Sequence, residues 1–353
     1  MTENEILQVW GYDFCIINNY AYIFHGLINA LFKVDLEDGT ISYLNTIEYD
    51  ASCEKSLYSS MVKWKEKIYL VPYNASAMVC YDIKSNTYRS VMEKEFKILD
   101  TFGKGRYVYL QPMAACNPIL KFDLESEKVV EEVIVNNDYD SYLGISINDN
   151  CYMENGRYAV IITPINTICI IDSNNGEVSK ISIQNTHDIY ASIEYYNGYI
   201  YVMGSKEYTI AKIDPRSGEI IKVYKMFNQY GRLIGRISDE IIVDMAYSEK
   251  IYRFNCISGT IKDVIYDSRR KGYSCRYYWY CYGKLKKNNN VSYYFNRYNC
   301  SLVCNFLTSD EITHKLITSD EDYEIIKKYI VNDKNIYKNE DELVSLEDYL
   351  KYL

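Results

Sequence analysis

The sequence predicts an all-β protein built from seven similar four-stranded units, and three observations lead to that prediction. The chain has 353 residues, 48% of them hydrophobic, with 40 tyrosines and only 5 prolines. This composition excludes disorder, and its wealth of Tyr, Ile and Val favours strands over helices. A turn motif also recurs seven times at nearly constant spacing, and an apolar run precedes each copy.

Each copy of the turn motif consists of an apolar run that ends in Asp or Asn, a short turn, and a second apolar run. The anchors are Asp35, Asp82, Asp123, Asp172, Asp214, Asn255 and Asn305. Their mean spacing of about 45 residues is typical of propeller blades. The Asp or Asn side chain can bond its own downstream backbone and so begin a turn.

Glycine four positions after the anchor supplies the positive φ that such a turn requires. It occurs in four copies, at Gly39, Gly176, Gly218 and Gly259. Asn86 occupies the same place in the second copy, whereas Glu127 and Ser309 depart from the pattern. The third and seventh copies are therefore the weaker matches.

The apolar runs complete the unit. Four of them hold Tyr22, Tyr69, Tyr201 and Ile242, each 13 residues before its anchor. Each unit is thus an inner strand, a second strand, a third strand ending at the anchor, and an outer strand. Seven antiparallel units of this kind predict a seven-bladed β-propeller over residues 11–317, because radial closure leaves only short edges exposed. Residues 1–10 are a candidate ring-closing strand.

The unit resembles those of the kelch-like and quinoprotein-like propeller families. The resemblance is one of general form and implies the fold only. The paired glycines of kelch repeats, the Trp-Asp and Gly-His pairs of WD40 repeats and the Trp that follows the quinoprotein turn are all missing. We therefore assign no subfamily and carry over no site residues.

Residues 318–353 are predicted to form an acidic helical tail. From residue 320 onward they carry ten acidic and five basic side chains. Ser319 followed by Asp322 resembles a helix cap, and Ile326 and Ile330 recur at helical spacing. A second helix is predicted from Ser345. The helices are expected to pack on the propeller rim, and the alternative is a tail that docks a partner.

Composition and motifs also exclude several function classes. The net charge of −9 argues against nucleic acid as a partner. Neither a signal peptide nor a long apolar run is visible, so we expect a monomeric cytoplasmic protein without a membrane partner, its cysteines reduced. The three histidines (His25, His187 and His314) fall in different units, and no Cys-x-x-Cys or nucleophile motif accompanies them. We expect no metal, no cofactor and no catalytic set.

The candidate binding face is the one formed by the loops between second and third strands and by the connections between blades. We call it the loop face. There an aromatic residue opens the inner strand in six units: Tyr58, Phe96, Tyr142, Tyr190, Tyr230 and Tyr273. Such a collar could stack on a sugar or grip a peptide. The alternative is that these rings wedge between blades.

Charged candidates accompany the collar. Arg232 and Arg276 open inner strands and could hold a carboxylate in a fork, and His187 and Asp188 lie nearby in sequence. The alternative for each is a solvated loop charge. Lys284, Lys286 and Lys287 are predicted to lie in an inner hairpin on the opposite face.

Two functions remain open. The first is a non-enzymatic binding or scaffold protein that recognises a protein or carbohydrate ligand through the loop face. The second is a propeller enzyme acting on carbohydrate, either a lyase or a glycoside hydrolase, which would need carboxylates or a Tyr/His/Arg cluster around the channel.

Overall fold

The computed structural model of the chain describes residues 11–25, 29–47, 57–93, 95–135, 145–184, 186–225, 231–245, 250–265, 284–296 and 301–331. Within these ranges lie seven sheets, each made of four consecutive antiparallel strands. The predicted unit is therefore confirmed. No strand is exchanged between sheets in this part of the chain.

The first four blades are as follows. Blade 1 comprises β1 (Gly11–Ile17), β2 (Tyr20–His25), β3 (Ala30–Asp35) and β4 (Ile41–Thr46). Blade 2 comprises β5 (Tyr58–Trp64), β6 (Lys67–Pro72), β7 (Ala77–Asp82) and β8 (Thr87–Glu93). Blade 3 comprises β9 (Ile98–Lys104), β10 (Tyr107–Pro112), β11 (Ile119–Asp123) and β12 (Lys128–Val133). Blade 4 comprises β13 (Ser146–Tyr152), β14 (Arg157–Thr163), β15 (Thr167–Asp172) and β16 (Val178–Ser182).

The remaining blades follow in chain order. Blade 5 comprises β17 (Tyr190–Tyr196), β18 (Tyr199–Gly204), β19 (Thr209–Ile213) and β20 (Ile220–Lys225). Blade 6 comprises β21 (Gly231–Ile237), β22 (Glu240–Met245), β23 (Lys250–Asn255) and β24 (Ile261–Ile265). Blade 7 comprises β25 (Lys286–Asn288), β26 (Val291–Asn296), β27 (Ser301–Cys304) and β28 (Ile312–Lys315).

Seven buried apolar clusters lie between neighbouring blades and hold the ring together. The cluster that closes the ring joins Phe14 and Phe32 of blade 1 to Phe295 and Leu302 of blade 7. The ring therefore closes by packing of blade 7 against blade 1. Because each sheet buries both faces against its neighbours, the chain forms a seven-bladed β-propeller.

The anchor turns form as the sequence predicts in six copies. In blade 1, for example, the Asp35 carboxylate accepts the Glu37 N–H at 2.8 Å, and its carbonyl oxygen accepts the Gly39 N–H at 2.9 Å. In the third copy Glu127 itself adopts a φ of 55°. The seventh turn differs, since Asn305 and Leu307 both have positive φ. One of the two weaker sequence matches is thus the irregular turn, and the other keeps the regular hydrogen bonds with Glu127 in the positive-φ position.

One helix, α1 (Asp320–Val331), follows the last blade. The Ser319 hydroxyl accepts the Asp322 N–H at 3.1 Å, which confirms the predicted cap. The helix packs on the rim as expected: Ile326 is fully buried in the cluster between blades 7 and 1. The Asp322 carboxylate also accepts the Tyr43 N–H of β4 at 2.9 Å. The helix predicted from Ser345 and the candidate strand in residues 1–10 lie outside the described residues.

Candidate functional site

A ring of polar residues surrounds the central channel, with one residue from each blade: six lie on inner strands and the seventh lies just before the inner strand of blade 7. In blades 1 to 5 the residue directly follows a β-bulge, which re-aims its side chain. In every blade this residue lies opposite the fifth residue of the second strand. Lys284 lies before β25, and extending the pairing of β25 with β26 by two residues places it opposite Phe295. We call this set the channel ring: Asp13, Ser60, Asp100, Asp149, Ser192, Arg232 and Lys284.

Several members of the channel ring cap the inner strand of the next blade. Inner strands present a free edge to the channel, and unpaired N–H groups there need partners. The Asp13 carboxylate accepts the Met61 N–H at 2.8 Å. The Ser192 hydroxyl accepts the Leu233 N–H at 3.0 Å. These bonds fasten blade 1 to blade 2 and blade 5 to blade 6 at the axis.

Lys284 spans the channel. Its ammonium group lies 2.6 Å from Asp149 Oδ1 and 3.4 Å from Asp100 Oδ2, and it donates to the Asn150 carbonyl oxygen at 2.8 Å. Asp100 belongs to blade 3 and Asp149 to blade 4, whereas Lys284 precedes blade 7. In a ring of seven, blades 3 and 4 lie opposite blade 7, so this side chain crosses the axis.

Asp149 is the most deeply buried charge of the ring, with 0% exposure. It accepts the Ile193 N–H at 3.2 Å and meets the Arg232 guanidinium at 3.1 Å. Burial alone would raise the pKa of the Asp149 carboxyl, but Lys284 and Arg232 outweigh it and hold the pKa below 3.8. Burial would likewise lower the pKa of Lys284, but Asp149 and Asp100 raise it above 10.5.

The ion pairs of this network join equal numbers of acidic and basic side chains. Lys286 pairs with Asp13 Oδ1 at 2.5 Å and donates to the Phe14 carbonyl oxygen. The three carboxylates of Asp13, Asp100 and Asp149 are thus matched by three cations, Arg232, Lys284 and Lys286. Burying charges is costly unless they are paired and hydrogen-bonded, and here the pairing is internal.

Lys286 and Lys287 lie in the inner hairpin of blade 7, as predicted, whereas Lys284 lies just before it. Lys284 precedes β25, Lys286 is its first residue, and the turn follows at residues 289–290. The ammonium groups of Lys284 and Lys286 point to carboxylates of blades 1, 3 and 4, because the buried Asp149 and the partly buried Asp13 require cations.

Arg232 does hold a carboxylate, as its residue type suggested, but the carboxylate is that of Asp149. Its side chain is 13% exposed. In this conformation Arg232 serves the network, and contact with a ligand stays a prediction.

Two of the predicted collar residues are described within strands, and both rings are buried. Tyr58 and Tyr190 open β5 and β17, as expected, and each is 1% exposed. Tyr58 packs edge-on against Phe24, with ring centroids 5.2 Å apart, between blades 1 and 2. Tyr190 lies in the cluster between blades 4 and 5. These positions agree with the wedging alternative, and ligand contact would require the blades to part.

His187 and Asp188 are neighbours with different surroundings. His187 is exposed, whereas Asp188 is 3% exposed. The Asp188 carboxylate accepts N–H groups from Lys206 at 2.9 Å and Glu207 at 3.1 Å, and the Thr209 hydroxyl at 3.1 Å. Asp188 therefore ties down the loop before β19. His187 remains open to solvent on the loop face.

The other predicted site residues lie outside the described residues. They are Tyr142, Tyr230, Tyr273 and Arg276. Their contact with a ligand stays a prediction.

A patch on the loop face joins blades 2 and 3. Tyr73 follows β6, Lys97 precedes β9 and Met113 follows β10. The Tyr73 hydroxyl lies 3.6 Å from Met113 Sδ, and the Lys97 ammonium lies 5.1 Å from the Tyr73 ring centroid. Phe96 is partly exposed beside them. This loop-face patch offers an aromatic ring, a cation and a polarisable thioether in one place.

Three further observations concern metal ions, membrane-spanning helices and cysteine chemistry. Among the described residues, no three His, Cys, Asp or Glu side chains gather closely enough to hold a metal ion. The same part of the chain contains no helix long and apolar enough to cross a membrane. Cys80, Cys169 and Cys304 are buried free thiols, and burial raises the pKa of Cys169 and Cys304 to about 11. These thiols are therefore poor nucleophiles near neutral pH.

No protein-family model matches the chain, and no curated protein matches it. Solved structures do. The chain is similar to virginiamycin B lyase from Staphylococcus aureus at 13% identity, over 76% of this chain and 87% of that one, with a TM-score of 0.57. It is similar to BamB from Moraxella catarrhalis at 13% identity, over 79% of this chain and 77% of that one, with a TM-score of 0.54. It is also similar to the computationally designed Ika8 protein at 8% identity, over 89% and 91%, with a TM-score of 0.59.

At such identities the likeness shows the fold alone. It supports the propeller fold and assigns neither a kelch-like nor a quinoprotein-like subfamily. The site must be judged from this chain's own residues.

Sequence reasoning missed most of the channel ring. A signal was present, because Ser60 and Ser192 each follow a collar tyrosine by two residues, as Arg232 follows Tyr230. The same spacing would have drawn attention to the two serines. The pairing of Asp149 could not be found this way, since its partner Arg232 is 83 residues away and Lys284 is farther still.

Proposed function

We propose that this propeller is a non-enzymatic binding or scaffold protein that recognises a protein or carbohydrate ligand through its loop face. The channel network carries the proposal. Its charged side chains bond one another across the axis, so the described channel presents internally neutralised groups in place of a free acid, base or anion-binding fork. The proposal keeps the expectation of a monomeric, cytoplasmic protein.

The alternative is a carbohydrate lyase or glycoside hydrolase. Such chemistry needs an acid and a base, or a Tyr/His/Arg cluster, within reach of the substrate. Asp149 and Arg232 bond each other, and Asp188 is held by its own loop. The virginiamycin B lyase among the similar structures shares the fold at 13% identity, which by itself does not favour lyase chemistry here.

The loop-face patch is the described surface that best supports recognition. Tyrosine gives a large contact area at low conformational cost and stacks on the apolar faces of sugars as readily as on peptides. Lys97 adds a cation beside the Tyr73 ring. Loops held by a rigid scaffold are also where binding residues concentrate.

The test is a screen of the purified protein against glycan and peptide arrays, followed by variants. A Tyr73→Ala/Lys97→Ala double variant should bind a hit at least about tenfold more weakly, a loss of about 1.4 kcal/mol. Tyr107→Ala is the matched control, because Tyr107 is 41% exposed at the opposite face. It should leave binding unchanged.

Equal binding by the wild type and the double variant would remove the loop-face patch from the proposal. Cleavage of a bound glycan, followed by NMR, would replace the proposal with the enzymatic alternative.

A further inference from the structure

The outer strand of blade 5 is an exposed, basic sheet edge. β20 reads IIKVYK, contains no acidic residue, and pairs only with β19 in the described sheets. Ile221 is 48% exposed and Val223 is 42% exposed. We call Ile221, Lys222, Val223 and Lys225, together with Lys212 of β19, the blade-5 edge. A free edge of this kind presents a row of N–H and C=O groups that another strand can pair with.

A like-charge pair distinguishes this edge from the equivalent place in blade 3. In blade 3, Lys121 lies directly opposite Glu131, and their charged atoms are 2.9 Å apart. At the same register in blade 5, Lys212 lies opposite Lys222. Like charges directly opposite each other destabilise a sheet. Blade 5 thus has a second lysine at the position where blade 3 has the carboxylate that pairs with Lys121.

Two of the three lysines of the blade-5 edge lie over aromatic rings instead. The Lys212 ammonium lies 3.8 Å from the Tyr199 ring centroid, and that of Lys222 lies 4.8 Å from the Tyr224 centroid. Among the described residues, no carboxylate forms an ion pair with Lys212, Lys222 or Lys225. Their charge is thus available to an outside carboxylate.

Blade 1 provides an internal example of how such an edge is covered. There the Asp322 carboxylate of α1 accepts the Tyr43 N–H of the outer strand β4 at 2.9 Å. Ile326 of the same helix is buried beside it. An acidic segment with an apolar residue therefore covers the outer side of blade 1.

We propose that the blade-5 edge docks an extended acidic segment of a partner protein, which adds to β20 as a fifth strand. Alternate residues of a strand face opposite sides, so Lys222 lies on one side and Ile221 and Val223 on the other. The docked segment would carry carboxylates on the side of Lys222 and Lys212, and apolar residues on the side of Ile221 and Val223. Main-chain hydrogen bonds give affinity in this mode, and the alternating side chains give specificity.

The competing explanation is that the lysines only prevent edge-to-edge aggregation, a common use of lysine on exposed strands. The probe that separates the two is a fluorescein-labelled peptide of alternating Glu and Val, about eight residues long, the length of an ordinary strand. Fluorescence anisotropy at physiological salt should show saturable binding. No saturation by about 1 mM would overturn the proposal.

Two controls make the test specific. Lys212→Glu/Lys222→Glu reverses the charge on the side where the carboxylates are expected and should weaken binding at least about tenfold, while Lys128→Glu, on the exposed start of β12, should change it less than about twofold. The same peptide N-methylated at alternate amides keeps its charge but cannot pair with a strand edge, and it should not bind. Equal binding by the methylated peptide, or by the double variant, would overturn the proposal.

Discussion

The channel and the blade-5 edge handle positive charge in opposite ways. In the channel, Lys284 and Arg232 are bonded to Asp149, which is fully buried. At the blade-5 edge, Lys212 and Lys222 lie opposite each other without a carboxylate partner among the described residues. An unpaired charge is very costly when buried and cheap when solvated. Pairing is thus obligatory at the axis, and only the rim can leave charge for a partner.

Replacing Asp149 should have the largest effect on stability. Asp149→Asn leaves Lys284 and Arg232 short of their shared counter-charge, and we expect a loss of about 3 kcal/mol in the free energy of unfolding, measured by urea denaturation. Asp100→Asn is the matched control, because Asp100 is 27% exposed and lies 3.4 Å from Lys284. It should cost less than about 1 kcal/mol. An equal loss of unfolding free energy in the two variants would contradict the claim that Asp149 is the main counter-charge of the network.

The ion pair of Asp149 and Lys284 makes the stability of the protein depend on pH. Because the pKa of Asp149 is lowered on folding, its contribution is present above the unfolded value near pH 4 and is lost as the pH falls through the lower folded value. Because the pKa of Lys284 is raised, its contribution is present below about pH 10.5 and is lost at higher pH.

The stability difference between wild type and Asp149→Asn should therefore stay constant between those limits and shrink on acidification below about pH 4. The comparison uses the stability difference between the two proteins because burial raises the pKa of nearby Glu194. Protonation of Glu194 changes the stability of each protein with pH in the opposite direction, and taking the difference removes that contribution. Urea titrations at several pH values measure the difference. A difference that grows in acid would refute the assignment.

The neighbouring pair His187 and Asp188 gives a smaller effect and sharpens the contrast between buried and exposed groups. Asp188→Ala removes the acceptor of the Lys206 and Glu207 N–H groups, and we expect a loss of about 2 kcal/mol. His187→Ala should change stability by less than about 0.5 kcal/mol. Thermal unfolding of both variants checks this. A larger cost for His187 would mean that its exposed side chain has a structural role.

The smallest expected effect comes from exchanging the residues that lie opposite a lysine in blades 3 and 5, which are Glu131 and Lys222. Lys222→Glu recreates the Lys121–Glu131 pair of blade 3 and should stabilise the fold by about 0.2 to 1 kcal/mol. Glu131→Lys should destabilise it by a similar amount. Opposite signs in denaturation experiments support the comparison, and equal signs would break it. A stabilising Lys222→Glu would also suggest that Lys222 is kept for binding at the expense of stability.

Much of the fold could be predicted because its signals are local. Asp35 and five of its equivalents bond backbone groups only two residues away, so the turn chemistry is visible in a short window. Glu127 shows the limit of such reasoning. It takes a positive φ without being Gly or Asn, and its carboxylate accepts hydrogen bonds from Lys67 and the Tyr69 hydroxyl of blade 2. Contacts between blades thus override the local preference.

The candidate site was less predictable because its partners are distant in sequence. The type of Arg232 indicated carboxylate binding, but only the ring geometry brings Asp149 to it from two blades away. The collar tyrosines show the converse. Tyr58 and Tyr190 were correctly placed at the start of inner strands, yet periodicity cannot tell a ring that faces the channel mouth from one wedged between blades.

A double-mutant cycle on Asp149 and Lys284 is the most direct test that the channel charges satisfy one another. The free energy of unfolding is measured for Asp149→Asn, Lys284→Met and the double variant. We predict a coupling energy of about 1 to 3 kcal/mol, because the two side chains lie 2.6 Å apart in a buried network. A coupling energy near zero would mean that Lys284 does not bond across the axis. It would also reopen the channel as a site for a ligand.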